Sequence, residues 1–481
     1  MQNILNYING EFLEPQSQEW LDNYEPSSGK VYSKIPNSDE RDIALAVKAA
    51  ENAFPNWSKT TIEERSSILQ RISESILENL EILVIAEAKD NGKPESLARA
   101  VDIPRAASNF KFFSQAITQF STNAHESVGL NAVNYTLRKP LGVVGCISPW
   151  NLPLYLFTWK IAPALVSGNC VVAKPSEVTP MTAYLLSNIC HNAGLPKGVL
   201  NIVHGLGTTT GQAIIEHPNI KAISFTGGTA TGEHIARTAA PMFKKLSLEL
   251  GGKNPNLIFA DCDYDKMLET TVRSSFANQG QICLCGSRIF VEVSIYDKFK
   301  TDFVNKVSQL NVGHPSSKDT NVGALVSKPH LEKVFSYIDK AETYGGKILT
   351  GGNKLTVKGY EDGYYLEPTI IEVSSNDCKL NQEEIFGPVV TLMPFKTEED
   401  ALQLANGVRY GLAATIWTNN LNRTMRLSSE IEAGIVWVNT WMMRDLRTPF
   451  GGMKDSGVGR EGGFEALRFF TEPKNVCISY E

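Results

Sequence analysis

The sequence predicts an α/β protein with two doubly wound, parallel-sheet domains. Three observations lead there. From residue 140 short apolar runs alternate with helical stretches, a second such series begins after Gly251, and no low-complexity tract or charge block separates the two. Short β runs joined through helices imply right-handed crossovers and a sheet covered on both faces.

Taken in order, Asn6–Glu14 holds an Asn9-Gly10 turn between apolar residues, a hairpin signal. Ile43–Phe54 is apolar at helical spacing, and Thr61–Asp90 predicts one long helix. Thr61-Ile62-Glu63-Glu64 fits a capping box, Ile68, Leu69, Ile72, Ile76, Leu80 and Leu83 share a face, and Asn91-Gly92 ends it. The first series has β runs at Val143–Ile147, Cys170–Ala173, Leu200–Val203 and Ala222–Phe225, with helices at Pro153–Ser167, Thr179–Ala193 and Thr210–Glu216. The second has β runs at Asn256–Phe259, Arg288–Val293, Thr369–Val373, Val389–Phe395, Ala413–Thr418 and Gly434–Asn439. Tyr135–Arg138 and Asn475–Tyr480 are β-like and belong to neither sheet. They can pair with each other or across a subunit boundary.

Composition excludes several classes. The 481 residues carry a net charge of −6, which argues against a general nucleic-acid or anionic-membrane binder. No apolar stretch approaches a bilayer span, and Met1–Gly10 has no leader pattern. Eight scattered cysteines fit free thiols in a reducing, cytoplasmic compartment. Cys283 and Cys285 are one residue apart, poor zinc spacing, and no metal is expected.

Chemistry concentrates in a few segments. Cys283 lies in Asn278-Gln279-Gly280-Gln281-Ile282-Cys283, polar and Gly-rich, just after a predicted helix. A thiol at such a turn can be a nucleophile; the alternative is a small buried hydrophobe. Glu249 ends an apolar run before Gly251-Gly252, where its pKa would rise toward that of a general base; the alternative is a surface glutamate at a strand end. Asn151 follows the first parallel run, in Ser148-Pro149-Trp150-Asn151, where an amide can face an oxyanion or simply serve a turn. Lys174-Pro175-Ser176-Glu177, Gly205-Leu206-Gly207 through Gly211, and Phe225-Thr226-Gly227-Gly228 end the next three runs. Each is unspecific, but successive strands delivering a ribose-type carboxylate and Gly-rich helix starts suit a dinucleotide.

Together these motifs, with Leu248-Glu249-Leu250-Gly251-Gly252-Lys253, Glu384-Ile385-Phe386-Gly387-Pro388 and Pro449-Phe450-Gly451-Gly452, resemble the NAD(P)-dependent aldehyde dehydrogenases over essentially the full length. The resemblance implies a cofactor domain (1–117 and 138–250), a catalytic domain (251–467) and a β oligomerisation arm (118–137 and 468–481), in a homodimer or homotetramer. It implies Cys283 as nucleophile, Glu249 as base for the hydrolytic water, and Asn151 with the Cys283 N–H as oxyanion hole. For NAD it implies Ser148, Trp150, Lys174, Glu177, Gly207, Gly211, Phe225, Thr226, Gly227, Leu250, Glu384 and Phe386. One departure is Gly228, where the common motif has Ser.

The segments Asp102–Arg105, Ser148–Trp159 with Lys160–Pro163, Arg273–Ala277 and Arg444–Thr448 resemble more narrowly the muconic semialdehyde dehydrogenases, and Ile282–Cys285 the 2-aminomuconate branch of kynurenine catabolism. That likeness implies an acidic aldehyde held by Arg105, Arg444 and Arg447. From the residues alone, Arg444 and Arg447 could instead share Asp445, and Arg105 could pair at a surface. The 2-hydroxymuconate branch and a broader aliphatic or betaine-type enzyme are the alternatives.

Overall fold

The computed structural model describes residues 2–480. One sheet has eight strands in the order Gly457–Val458, Lys245–Glu249, Ile220–Thr226, Val143–Ile147, Cys170–Lys174, Leu200–Ile202, Asn6–Ile8, Glu11–Leu13. Its five central strands run parallel. The expected hairpin forms one edge, with Asn9 and Gly10 at φ 53° and 76°, the left-handed pair that tight hairpin turns favour. Gly457–Val458 closes the other edge, antiparallel to Leu248 and Glu249.

The second sheet has seven strands, ordered Gly346–Thr350, Thr369–Val373, Val389–Phe395, Arg288–Glu292, Pro255–Ile258, Ala413–Trp417, Ile435–Val438. All neighbours are parallel except the first pair. The two unassigned β pieces pair with each other. Thr471–Ser479 lies antiparallel along Ala132–Pro140, and Ala124–Ser127 adds a third strand. The middle strand thus runs past residue 137, where the arm was expected to end.

Helices differ from expectation in two places. The stretch Thr61–Asp90 is two helices, Ile62–Glu78 and Leu80–Asn91. The Asn79 side chain donates to the Ser75 carbonyl at 2.8 Å beside its own backbone N–H at 3.2 Å, and the chain leaves helical geometry at Asn79, with φ −100° and ψ 19°. The capping box at Thr61 and Glu64 and the left-handed stop at Gly92 are both present. The sequence suggests an apolar helix from Ala106; it begins instead at Ile103, after a π-helical turn over Ala98–Asp102, and ends at Ala116. Arg105 therefore sits in a helical first turn.

Pro153–Val166 is the most enclosed helix, with every residue buried. It packs against the helices Ile62–Glu78 and Ile103–Ala116 under the first sheet. Being anchored on all sides, it holds Asn151 and Tyr155 at its N-terminal end rigidly. That end lies just past the strand Val143–Ile147, at the carboxyl edge of the sheet, where open α/β sheets bind ligands.

Candidate active site

A cleft of about 710 Å³ opens beyond those strand ends, lined by Trp150, Asn151, Thr226, Gly227, Leu250, Cys283, Glu384 and Phe386 among others. Cys283 reaches it on a strained loop. Asn278 and Gln279 take left-handed backbone angles, φ 52° and 56°, followed by Gly280 at 67°. Such conformations cost of order 1–3 kcal/mol each for non-glycine residues unless the surroundings hold them. Here the Asn278 amide donates to the Asn151 carbonyl (2.9 Å) and the Gln279 amide to the Ala324 carbonyl (2.9 Å). Gly280 must be glycine: a Cβ there would lie 2.1 Å from the Gly387 carbonyl oxygen. The Asn254 amide then bonds the Cys283 and Cys285 carbonyls at 2.7 and 2.8 Å, so the thiol's backbone is fixed.

Burial pushes the Cys283 thiol pKa up, with Glu384 and Glu249 adding to the rise and Arg444 opposing it. The resting group is a thiol, and a base must take its proton. Glu249 is close enough for its charge to be felt at Cys283, and it ends the strand Lys245–Glu249. Both of its carboxylate oxygens are buried without a hydrogen-bond partner. Burial first, and then the Glu461 carboxylate, raise its pKa well above the usual range, against Lys160, Arg460 and Arg444. A Cβ on Gly451 would come within 2.9 Å of Glu249 Oε1, so only glycine leaves the carboxyl room.

Asn151 is buried, and its amide Nδ2 donates to the Gln281 carbonyl at 3.0 Å, two residues from the thiol. One amide hydrogen is thereby engaged and the other remains for an oxyanion. Behind it Lys93 Nζ lies 2.6 Å from Asp102, 3.6 Å from Glu87 and 3.3 Å from the Asn151 carbonyl, all fully buried. Asn91 bonds the Trp150 carbonyl at 2.9 Å. Asp102, the acid nearest Arg105 in sequence, is therefore turned inward to Lys93.

The remaining expected residues fall along the same edge. Trp150 packs edge-on against Phe386, with ring centroids 5.3 Å apart. Glu384 Oε1 accepts the Gly252 N–H at 2.8 Å. Lys174 Nζ lies 3.0 Å from Glu177, and although burial works to raise the Glu177 pKa, Lys174 prevails and holds it below the ordinary value. Gly207 opens a π-helical turn reaching Gly211, which packs beside Lys174. Phe225 and Gly227 stack closely, Leu250 lies against Gly232, and Gly228 N-caps the helix Thr229–Ala239. Ser148, Thr226 and Thr229 each bury a hydroxyl with no partner. A dinucleotide fits this chain of features: an ionised carboxylate, a free helix N-terminus and orphaned donors along one open edge. Gly228 costs little there, since a Cβ at Gly207 or Gly228 would meet nothing within 4 Å and the backbone N–H groups stay accessible.

The three arginines separate. Arg444 stacks on Phe450 (4.0 Å) and donates to the Tyr155 hydroxyl at 2.8 Å. Arg105 lies over the Tyr155 ring at 5.4 Å, its Nε buried without a partner. Neither forms an ion pair among the described residues. Arg447 instead clasps Asp445 at 2.6 Å with its side chain 81% exposed. The expectation that Arg447 faces a substrate is thus not supported, because Asp445 neutralises it at the outer rim. All three line one outer groove together with Phe112, Asp445 and Phe464.

Residues 12–476 match the aldehyde dehydrogenase family. The chain belongs to the aldehyde dehydrogenase family. It is 49% identical to the 2-aminomuconic semialdehyde dehydrogenase of Bos taurus, over 99% of this chain and 98% of that one. It is 45% identical to the 2-hydroxymuconic semialdehyde dehydrogenase of Pseudomonas sp. strain CF600, over 99% and 100%. Among solved structures, betaine aldehyde dehydrogenase of Staphylococcus aureus, in complex with NAD+, superposes with a TM-score of 0.96 at 35% identity, covering 99% of this chain and 95% of that one.

Sequence reasoning missed several neighbours of this aldehyde dehydrogenase site. Lys93, Glu87 and Tyr155 were read only as a helix end, a helix body and an apolar helix. His330, which packs on Trp150 at 4.9 Å and bonds the Phe386 carbonyl through Nε2 at 2.7 Å, gave no signal at all. Lys160 and Glu461, paired at 2.7 Å and 1% and 8% exposed, are 301 residues apart. A charged residue inside the apolar run Leu154–Val166 was the one available hint of a buried pair.

Proposed function

We propose that the protein oxidises an acidic aldehyde, 2-aminomuconate 6-semialdehyde, to the corresponding carboxylate with NAD. The observation that carries the acidic substrate is the pair Arg105 and Arg444: two guanidinium groups around one tyrosine, neither in an ion pair among the described residues, with Arg444 within electrostatic reach of Cys283. An anion is what such a pair lacks. The likeness to the 2-aminomuconic enzymes favours the amino compound, and the likeness at 45% to a 2-hydroxymuconic enzyme keeps that substrate as the second reading.

The residues then act in sequence. Glu249 takes the Cys283 proton, and the thiolate adds to the aldehyde carbon. The free Asn151 N–H and the Cys283 backbone N–H receive the oxyanion, which is strengthened by the water-poor loop around it. NAD, when bound, supplies the acceptor for the hydride that leaves this carbon. Lys174 and Glu177 would hold its adenosine ribose, Gly207 and Gly227 its cleft, and Glu384 with Phe386 its nicotinamide end. The thioester left on Cys283 is hydrolysed by water that Glu249 deprotonates. A CoA-acylating relative would not need Glu249, so its presence favours hydrolysis.

The domain roles follow the same reading: 1–117 with 138–250 for the cofactor, 251–467 for catalysis, and the three-stranded arm for association into a homodimer or homotetramer. The exposed Val128, Leu130 and Ile478 on that arm support its burial in an oligomer. A cytoplasmic setting is in keeping with eight free cysteines.

The deciding experiment is a steady-state NADH assay on an acidic and a neutral aldehyde of similar length, with Arg105→Ala and Arg444→Ala. A charge-assisted bond is worth roughly 1.5–3 kcal/mol, so each loss should lower kcat/KM for the acidic substrate by about 10- to 200-fold relative to the neutral one. An unchanged ratio in both variants removes the acidic-aldehyde reading and leaves the general one.

A further inference from the structure

We infer that Tyr155 is a specificity-determining residue: its hydroxyl and its ring aim Arg444 and Arg105 at one point, so that a carboxylate is read at a set distance from the thiol. The inference rests on the acidic-aldehyde reading and deepens it.

Tyr155 lies four residues after Asn151, in the first turn of the enclosed helix Pro153–Val166. It is 2% exposed and packs in the same apolar cluster as Leu152, Ile282 and the flank of Cys283. The Asn109 amide holds its carbonyl at 3.0 Å, and the same amide bonds Thr158 at 3.0 Å. Its position is therefore as fixed as that of Asn151. The oxyanion donor and the tyrosine stand on one rigid segment.

Each arginine depends on a different part of that tyrosine. The hydroxyl accepts from Arg444 Nη1 at 2.8 Å, the guanidinium's one hydrogen bond among the described residues. The ring carries Arg105 at 5.4 Å, a cation–π distance. Two like charges held on one tyrosine repel, and neither is in an ion pair among the described residues, although Arg105 feels the charge of Asp445 and Arg444 that of Glu249. Asp102 is spent on Lys93, and Asp445 is bound to Arg447. Tyr155 thus holds apart two cations that would otherwise rotate toward solvent or toward Asp445, and it leaves the gap between them for an anion. Selectivity then depends on the fixed spacing between Asn151, just before that helix, and Tyr155 in its first turn, and not only on the charge of the arginines.

The test is Tyr155→Phe and Tyr155→Leu in the full-length enzyme, assayed with NAD on the same acidic and neutral aldehydes. Phe keeps the ring under Arg105 and removes the acceptor of Arg444; Leu removes both. The acidic-to-neutral ratio of kcat/KM should fall about tenfold for Phe and further for Leu, mostly through KM of the acidic aldehyde. If Arg105→Ala and Arg444→Ala lower the ratio while both Tyr155 variants leave it within twofold, the arginines act without Tyr155 and this inference is overturned. If the arginine variants also leave the ratio unchanged, the acidic-aldehyde reading itself has failed. A Tyr155 variant that weakens both aldehydes equally would mark a packing role and would also overturn the inference.

Discussion

Lys93 with its two carboxylates, and Glu249 with none of its needs met, bury the same kinds of group on either side of the Asn151–Cys283 pair. The Lys93 cluster is charge-paired: the ammonium touches Asp102, Glu87 and the Asn151 carbonyl, and Glu87 also accepts the Leu154 N–H at 3.3 Å, although Asp102 Oδ1 and Glu87 Oε1 have no hydrogen-bond partner. Even so, burial holds the Glu87 pKa up at about 7, with Lys93 lowering it and Asp102 raising it. Glu249 is equally buried, yet neither oxygen has a partner. A buried carboxylate with an ion-pair partner locks backbone in place and is costly to strand. An unsatisfied carboxylate destabilises the fold a little and is left poised to take a proton. The first arrangement supports the site, and the second reacts in it.

Substitutions sharpen that contrast. The largest effect belongs to Cys283→Ala, which should abolish both the NADH burst and turnover. Glu249→Ala should instead slow the NADH burst, because solvent must then take the Cys283 proton, while keeping its amplitude near about one NADH per site, and should lose about 10²–10⁴-fold in turnover, with a thioester accumulating on Cys283 that intact-mass measurement would detect. Normal turnover of Glu249→Ala at neutral pH would end its assignment as the base.

Stability should reverse the order. Lys93→Met strands two buried carboxylates and should cost about 3–5 kcal/mol in denaturant unfolding, with a slower NADH burst because Asn151 loses its support. Glu249→Gln removes an uncompensated charge and should leave stability within about 1 kcal/mol of the parent or raise it. Equal losses in the two variants would erase the distinction.

The pH profile gives a finer probe. Glu249 works as a carboxylate and its pKa is raised, so turnover falls as pH drops through that raised value. Glu461→Gln removes the neighbouring negative charge that contributes to the rise, while Lys160, Arg460 and Arg444 still lower it. The acidic limb of kcat should therefore move to lower pH. A limb that stays put or moves upward would show that the group titrating is not Glu249. The smallest effects concern the periphery. Glu177, ionised beside Lys174, should favour NAD over NADP, and Glu177→Gln should relax the kcat/KM ratio by about one order of magnitude. Arg447→Ala, already neutralised by Asp445, should shift the acidic-to-neutral ratio by less than about twofold.

What could be read from the chain alone was whatever depends on neighbours in sequence. The alternating β runs, the Thr61 capping box, the Asn9-Gly10 turn and the Gly92 stop are local, and each reappears at or near its expected place. Cys283, Glu249 and Asn151 each stood at a strand end or Gly-rich turn with a bland alternative open, and it was the resemblance of the assembled motifs to a known family that implied their roles. The break at Asn79 was missed because the apolar stripe runs on past it and no Gly or Pro marks the interruption. Tertiary structure alone decided which charges meet. Asp102 lies three residues from Arg105 yet turns to Lys93, and Arg447 keeps Asp445 while Arg444, three residues earlier, goes to Tyr155. Lys160 finds Glu461 across 301 residues. Ion pairing is settled by distance and burial after the chain has packed, and proximity in sequence carries little of either.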